Sequence, residues 1–220
     1  MTTSLSDIGF LATASPELRN MVSALAVRRR LAAGEILFEQ GDQGDSLFAV
    51  ISGELEVSVT SAGGKKLGLD MMHAGELLGE IAFFAPGPRT ATLTATKPTE
   101  VWGLRNEDVH DALRAQPDLY IDLIELAGLR MRWMSTQYHE QVFMDVTTRL
   151  ARKILHLSGS SPNALNMSHA DLGAFVGATR ETVSKTLSMW KREGLIQLGR
   201  STITVVDPEG LKMVADAENF

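Results

Sequence analysis

The chain has 220 residues, 44% hydrophobic and 22% charged, with a net charge of −6 and no cysteine. These are ordinary globular proportions, enough for one large domain or two small ones. The missing cysteines exclude disulfides, zinc–thiolate sites, thiol nucleophiles and cysteine-ligated iron–sulfur clusters. No apolar run approaches the ~18 residues of a membrane span. Met1 to Ile8 lacks a cationic-then-apolar leader pattern, so a cytoplasmic chain without a membrane partner is expected. The charge is uneven. Thr147 to Val206 holds eight cations (Arg149, Arg152, Lys153, Arg180, Lys185, Lys191, Arg192, Arg200) and three anions (Asp171, Glu181, Glu193). That excess of +5 leaves −11 for the remainder, so only the C-terminal part suits a polyanion.

In chain order, Leu18 to Val27 is predicted as a short helix. Glycines then punctuate Leu31 to Val109, separating the β-prone runs Ile36–Phe38, Leu47–Ile51, Leu55–Val59, Leu67–Leu69, Thr90–Ala95 and Thr99–Trp102. Leu55, Val57 and Val59 alternate as in a strand with one buried face. Ala62-Gly63-Gly64 reads as a hairpin turn, where glycine adopts positive φ at little steric cost. Short strands at this spacing predict a jelly roll or another β-barrel. Glu107 to Ala115 is predicted as a helix, broken by Gln116-Pro117. Asp118 to Phe143 is then a long helix of roughly 39 Å at ~1.5 Å per residue. Tyr120, Ile124, Ala127, Met131, Met134, Tyr138 and Gln141 alternate in steps of four and three, a heptad seam suited to pairing with a second copy. Periodicity alone equally fits an ordinary packing helix. Its position, between a strand-rich front and a helical back, makes it a linker as well.

Gly75 to Ala95 departs from a strand pattern. Gly79-Glu80 followed by Ile81-Ala82-Phe83 reads as a tight turn opening a single helical turn, and Pro86-Gly87-Pro88 ends it before Arg89. A helix start offers unpaired N–H groups, and Arg89 offers a permanently charged fork suited to phosphate. Glu80 then serves a hydroxyl or braces the arginine. A ribose cyclic phosphate calls for this combination. A glycine-rich barrel turn with an Arg–Glu ion pair fits the same residues.

After the long helix, Val146 to Leu157 is predicted helical and Ser158 to Asn163 a loop. Ser168 and Asp171 form a capping-box-like pair. Leu172, Phe175 and Val176 give that helix an apolar face, and Gly177 allows a sharp turn. Thr179 caps a second helix with Val183, Leu187 and Trp190 inward, and Arg180, Glu181, Ser184 and Lys185 outward. This reads as a helix-turn-helix, whose second helix meets base edges in the major groove; an αα-hairpin in a helical domain is the alternative. Arg180 suits guanine O6/N7, Glu181 suits cytosine N4, and Lys185 can donate to guanine without a fork. Thr179, Thr182 and Ser168 are expected on phosphates. Gly194 to Val205 reads as a two-stranded wing with Arg200 near the backbone. No Ser/His/Asp ordering and no metal-ligand cluster stands out, so no enzyme is expected.

Both motifs carry a resemblance. Gly79-Glu80-Ile81-Ala82, the nine-residue step to Arg89 and the Arg89-Thr90-Ala91 strand resemble the phosphate-binding cassette of cyclic-nucleotide-binding domains. Gly177-Ala178-Thr179-Arg180-Glu181-Thr182-Val183-Ser184-Lys185 resembles the recognition helix of the Crp/Fnr regulators. Over about residues 8–206 the pattern is similar to the cyclic AMP receptor proteins. The resemblance implies an α+β fold with three parts. These are a cyclic-nucleotide-binding β-roll (1–116), a dimerisation helix and linker (117–144) and a winged helix-turn-helix (145–220). It implies a homodimeric transcription regulator whose affinity for palindromic DNA is controlled by cyclic AMP or cyclic GMP. RNA polymerase is a further partner in that family. In kinase domains of this kind Thr at position 90 goes with guanine, whereas the bacterial adenine-binding regulators carry Ser. Aligned through Phe143 to Val146, the family's base-contacting Thr-Ser pair falls on Met134-Ser135; shifted by one, it falls on Ser135-Thr136. Some relatives bind haem through histidine. His73 is not expected to, because an intact cassette competes for that pocket, and His110, His139, His156 and His169 read as solvated. The alternatives are a Crp/Fnr-type regulator that senses another ligand or is constitutively active, and a nucleotide-binding adaptor with no DNA role.

Overall fold

The structure is a computed structural model that describes residues 10–158 and 164–217. The expected leader-free segment Met1–Ile8 and the Gly159–Asn163 part of the predicted loop lie outside the described residues. Contacts divide the chain into two compact units, residues up to 65 with 69–132, and 66–68 with 133 onward.

Helix α1 (Phe10–Thr13) leads into α2 (Pro16–Leu25). Ser15 fixes the start of α2. Its hydroxyl accepts from the Leu18 N–H at 3.1 Å and donates to Asp122 at 2.7 Å. Pro16 occupies the first helical position, where its missing N–H is no loss. The helix therefore begins and ends two residues before its predicted bounds, and Val27 opens a strand instead.

The first unit then runs through β1 (Val27–Leu31), β2 (Ile36–Phe38), β3 (Ser46–Ser52), β4 (Glu54–Thr60), β5 (Lys66–His73) and β6 (Leu77–Leu78). It continues through α3 (Glu80–Phe84), β7 (Thr92–Ala95), β8 (Thr99–Arg105), α4 (Asn106–Ala115), a 3₁₀ turn (Pro117–Leu119) and α5 (Tyr120–Phe143). Its strands form two four-stranded sheets, in the orders β1-β8-β3-β6 and β2-β7-β4-β5. Two sheets closed over one apolar filling make the expected roll, and Leu31, Leu37, Val50, Leu55, Leu78, Leu93 and Val101 supply that filling. A second cluster joins Leu18 and Val22 of α2, Val109 and Leu113 of α4, and Leu119, Leu123 and Leu126.

Several strands differ from the reading of the sequence. β1 was not predicted, since only Leu31 of its Val-Arg-Arg-Arg-Leu run is buried. The alternation expected of β4 holds at Leu55 but not beyond. Val57 and Val59 are half-buried and Ser58 is buried, so the later part of the strand is covered on both faces. β7 begins at Thr92, not Thr90, because the backbone of Arg89 is held elsewhere.

Helix α5 carries two stripes. Leu123 and Leu126 are buried in line with Leu119 of the preceding turn, and Arg130 continues that line half-buried. The seam read from the sequence lies on another face. Tyr120, Ile124, Met131, Met134 and Tyr138 are exposed, Tyr138 to 73%, and Ala127 is half-buried. Ile121, Val142 and Phe143 widen the exposed apolar surface.

The second unit holds α6 (Val146–Ser158), β9 (Ala164–Asn166), α7 (His169–Val176), α8 (Arg180–Arg192), β10 (Ile196–Gly199), β11 (Thr202–Val205) and α9 (Pro208–Ala215). Leu150, Ile154, Leu172, Val183, Leu187, Trp190, Ile203 and Leu211 fill its core. The wing has three strands in the order β10-β11-β9, not the two expected. Thr202 pairs with Asn166 and Ile203 with Leu165 along the added edge.

Candidate functional site

Gly79 initiates the cassette in the left-handed region, at φ 83°, and caps α3. A Cβ there would lie 2.6 Å from Arg89 Nη1 and 2.8 Å from the Ser46 carbonyl oxygen, so both conformation and space demand glycine. Glu80 and Ala82 are buried, Ile81 is exposed, and Thr90 is exposed beside Arg89.

Arg89 is held from several directions. Its N–H donates to the Asp42 carbonyl at 2.8 Å, and its carbonyl accepts from the Gly41 N–H at 2.9 Å. Its guanidinium donates through Nη2 to the Ser46 carbonyl at 2.7 Å and through Nη1 to the Gly79 carbonyl at 3.4 Å. The guanidinium carbon stands 4.2 Å from the centre of the Phe38 ring and 5.6 Å from that of Phe48. Burial pulls the guanidinium below the usual arginine range, and the carboxylates of Asp45, Asp42 and Glu80 oppose that shift. Nε is buried and makes no hydrogen bond among the described residues. An unpaired buried donor costs about 1–3 kcal/mol, and an incoming anionic oxygen would satisfy it.

Glu80 does not brace Arg89. Its Oε1 lies 3.0 Å from Nε of Arg130, one turn beyond the buried leucine stripe of α5. Arg130 also donates to the Leu77 carbonyl at 3.1 Å. The ion pair joins the start of α3 to α5, and the sequence reading missed it. Arg130 follows Leu119, Leu123 and Leu126 in steps of four, three and four, the one signal that it faces the roll. Nearby, burial pushes the Glu76 carboxyl up, opposed by its hydrogen bond from the His73 N–H and by the charge of Arg130. Ser135 and Thr136 lie exposed on α5. His110 is not merely solvated. It stacks on Phe83 at 4.4 Å and 16°.

In the second unit the helix-turn-helix forms through the residues that foretold it. Ser168 caps α7 by accepting from the Asp171 N–H at 3.2 Å, and Asp171 accepts from the Ser168 N–H at 3.3 Å. Gly177 closes α7 at φ 68°, in the left-handed region. Gly173 was not singled out, yet a Cβ there would stand 2.7 Å from the Ala178 carbonyl oxygen, so it too sets the tightness of the turn. Thr179 caps α8 by accepting from the Thr182 N–H at 3.2 Å. Val183, Leu187 and Trp190 are buried, while Arg180, Glu181, Thr182 and Lys185 are exposed. Its own N–H and the Thr179 hydroxyl hold the Glu181 carboxylate below the usual range, so it is an acceptor at neutral pH. Arg200 is exposed between β10 and β11.

The basic excess is smaller at the surface than the sequence suggests. Arg149 donates to the Met144 carbonyl at 2.6 Å and to the Val176 carbonyl at 3.1 Å. Arg152 donates to the Ala215 carbonyl at 2.7 Å and pairs with Glu140 at 3.4 Å. Lys153 is buried 5.4 Å from the Phe175 ring centre. These three cations build the unit, leaving Arg180, Lys185, Lys191, Arg192 and Arg200 exposed.

Residues 28–116 match the cyclic nucleotide-binding domain family, and residues 148–214 match the Crp-like helix-turn-helix domain family. The cyclic AMP receptor protein of Thermus thermophilus is 31% identical over 203 residues, covering 91% of this chain and 94% of that protein. The chain belongs to the Crp/Fnr family of transcription regulators. Its family is one of regulators, not of enzymes. A CRP-like cAMP-activated global transcriptional regulator of Mycobacterium tuberculosis is 30% identical over 190 residues, 81% of this regulator and 83% of that one. The solved structure of a c-di-GMP responsive global regulator from Xanthomonas campestris shares the fold at a TM-score of 0.75 and 23% identity, covering 86% of this chain and 97% of that one. Among the described residues of this Crp/Fnr regulator, no helix is long and apolar enough to cross a membrane, and no group of three or more His, Asp or Glu is placed to hold a metal ion.

Proposed function

We propose that this Crp/Fnr regulator is a homodimer gated by a cyclic nucleotide, with residues 1–116 as the effector domain, 117–144 as the dimerisation helix and 145–220 as the DNA-binding domain. The observation that carries the reading is Arg89. Its guanidinium is aligned by backbone carbonyls and an aromatic platform, with a buried donor in need of an acceptor. A cyclic phosphate takes Arg89 and the N–H groups that open α3, where Gly79, Ile81 and Ala82 shape the turn. The ribose hydroxyl goes to Glu80, already ionically held by Arg130. Thr90, with Ser135 or Thr136, serves the base. Thr179, Thr182, Ser168 and Arg200 position the protein on phosphates of a palindrome, and Arg180, Glu181 and Lys185 read bases one helical turn apart. RNA polymerase is the further partner expected of the family. Effector and DNA each strengthen the binding of the other by the same factor.

The test is binding to a labelled palindromic duplex at fixed salt, with no nucleotide, cyclic AMP, cyclic GMP or cyclic di-GMP. Cyclic AMP is included because two relatives are named for it, and cyclic di-GMP because the Xanthomonas regulator is. Tightening by one mononucleotide alone is the expected result. Equal binding in every arm would favour a regulator that senses another ligand or is constitutively active.

The exposed seam of α5 makes a separate prediction. Ile124→Glu with Met131→Glu places charge along it and should give a folded monomer by sedimentation. Affinity for the full palindrome should fall to that of a half-site. A dimer of unchanged mass would show that this seam of α5 does not hold the dimer.

A further inference from the structure

By sequence, His169 reads as solvated and Ser184 as one of the outward-facing residues of the recognition helix. The structure joins them. Nδ1 of His169 lies 2.8 Å from the Ser184 hydroxyl, and both residues are half-buried. His169 is the first residue of α7 and Ser184 lies one turn after Arg180 on α8, so the bond ties the opening of one helix to the base-reading part of the next. In a helix-turn-helix the first helix crosses the phosphate backbone. With Nδ1 engaged, Nε2 is the ring nitrogen left for a second partner.

We propose that His169 is a DNA-phosphate contact oriented by Ser184, and that it makes affinity for DNA rise with acidity. The inference rests on the C-terminal unit meeting DNA through α8, and it adds a residue and a proton to that contact. The chemistry follows from the two nitrogens. In the neutral ring, Nε2 donates only if Nδ1 accepts from the serine hydroxyl; if Nδ1 donates, Nε2 carries no proton. The imidazolium donates from both atoms, with Ser184 accepting one bond and a phosphate oxygen the other. It also adds a positive charge facing an anion, and imidazoles acquire that charge between about pH 5 and 8.

The surrounding charges leave this role to His169. On α7 the anion is Asp171, engaged with the Ser168 hydroxyl at 2.6 Å and the Ser168 N–H. From α8 come Arg180, Glu181 and Lys185, and at the wing tip Arg200, all exposed. From α6, Arg149 and Lys153 reach the opposite end of α7, at Val176 and Phe175. Protonation therefore adds to a cationic surface that includes one carboxylate of α8, which is itself assigned to a base.

The experiment is duplex binding by the full-length protein, with whichever nucleotide tightens it, between about pH 6 and pH 8. The wild type should bind roughly tenfold tighter per recognition helix at the acid end, the scale set by one proton-linked contact. Its dependence of log K on log salt should steepen there by ~0.9 per histidine. His169→Gln should remove both effects, the acid-end tightening and the steeper salt slope, and Ser184→Ala should shrink the acid-end tightening. Matching thermal midpoints would show that each variant is folded. A wild-type pH profile in His169→Gln overturns the phosphate contact, and one in Ser184→Ala overturns the orienting bond. If the wild type binds no duplex at any pH, the DNA reading itself falls, and this inference with it. Specific binding with a profile independent of His169 overturns this inference alone.

Discussion

Arg89→Gln should yield a folded protein that binds cyclic nucleotide at least about a hundredfold more weakly and whose DNA affinity no longer responds to it. The guanidinium offers a paired, charged donor set to a phosphate. Charge-assisted hydrogen bonds of this kind contribute roughly 1.5–3 kcal/mol each, and ~1.4 kcal/mol is tenfold in affinity. Glutamine ends two bonds short of Nη2, which now donates to the Ser46 carbonyl at 2.7 Å, so some stability of the roll should go with the affinity. Arg89→Lys should fall between the two, because it keeps the charge and loses the fork. Isothermal titration reads the affinity and a melting curve reads the fold. Undiminished nucleotide affinity in Arg89→Gln would remove the cassette from the effector site.

The second large effect is expected at Arg180. It stands exposed in the first turn of α8, behind the Thr179 cap. A good bidentate contact to guanine contributes ~1–3 kcal/mol of discrimination, and a dimer on a palindrome makes two. Arg180→Ala should therefore weaken specific binding by roughly thirtyfold or more and relax preference at one base pair of each half-site. Arg200→Ala, exposed and assigned to phosphate, provides the contrast. A cation near the backbone is lost evenly across sequences, and the salt slope falls by ~1 per contact. Selection from a randomised duplex library separates these outcomes. Unchanged base preference in Arg180→Ala would move base reading to another residue.

Both effects concern motifs that were legible in the sequence because their physics is local. The left-handed Gly79, the Ser168–Asp171 box and the Thr179 cap each act within a few residues, so spacing alone exposes them. The jelly roll was legible from glycine-spaced β-runs, yet β1 was not, because Arg28, Arg29 and Arg30 hide a strand whose buried residue is Leu31. Helix α5 was read for one stripe and has two. The stripe that meets the roll ends in Arg130, a charged residue in line with leucines, and only the fold reveals Glu80 as its partner. Long-range pairs leave no period behind them. His169 and Ser184 are fifteen residues apart, and nothing in either helix's pattern brings them together. The cations of α6 make the same point in reverse. Composition placed them with the nucleic-acid surface, whereas Arg149, Arg152 and Lys153 hold helix ends and a ring within the unit.

Arg149 has a mechanical meaning as well. One guanidinium holds the carbonyl of Met144, just past the last turn of α5, and that of Val176, which ends α7. The carbonyl end of a helix carries partial negative charge, so the fork works as a rivet through two such ends. Gly173 and Ala178 then leave almost no play between α7 and α8. The segment just past α5 and the end of α7 thus share one side chain, so neither carbonyl end can shift without drawing on the bond that holds the other.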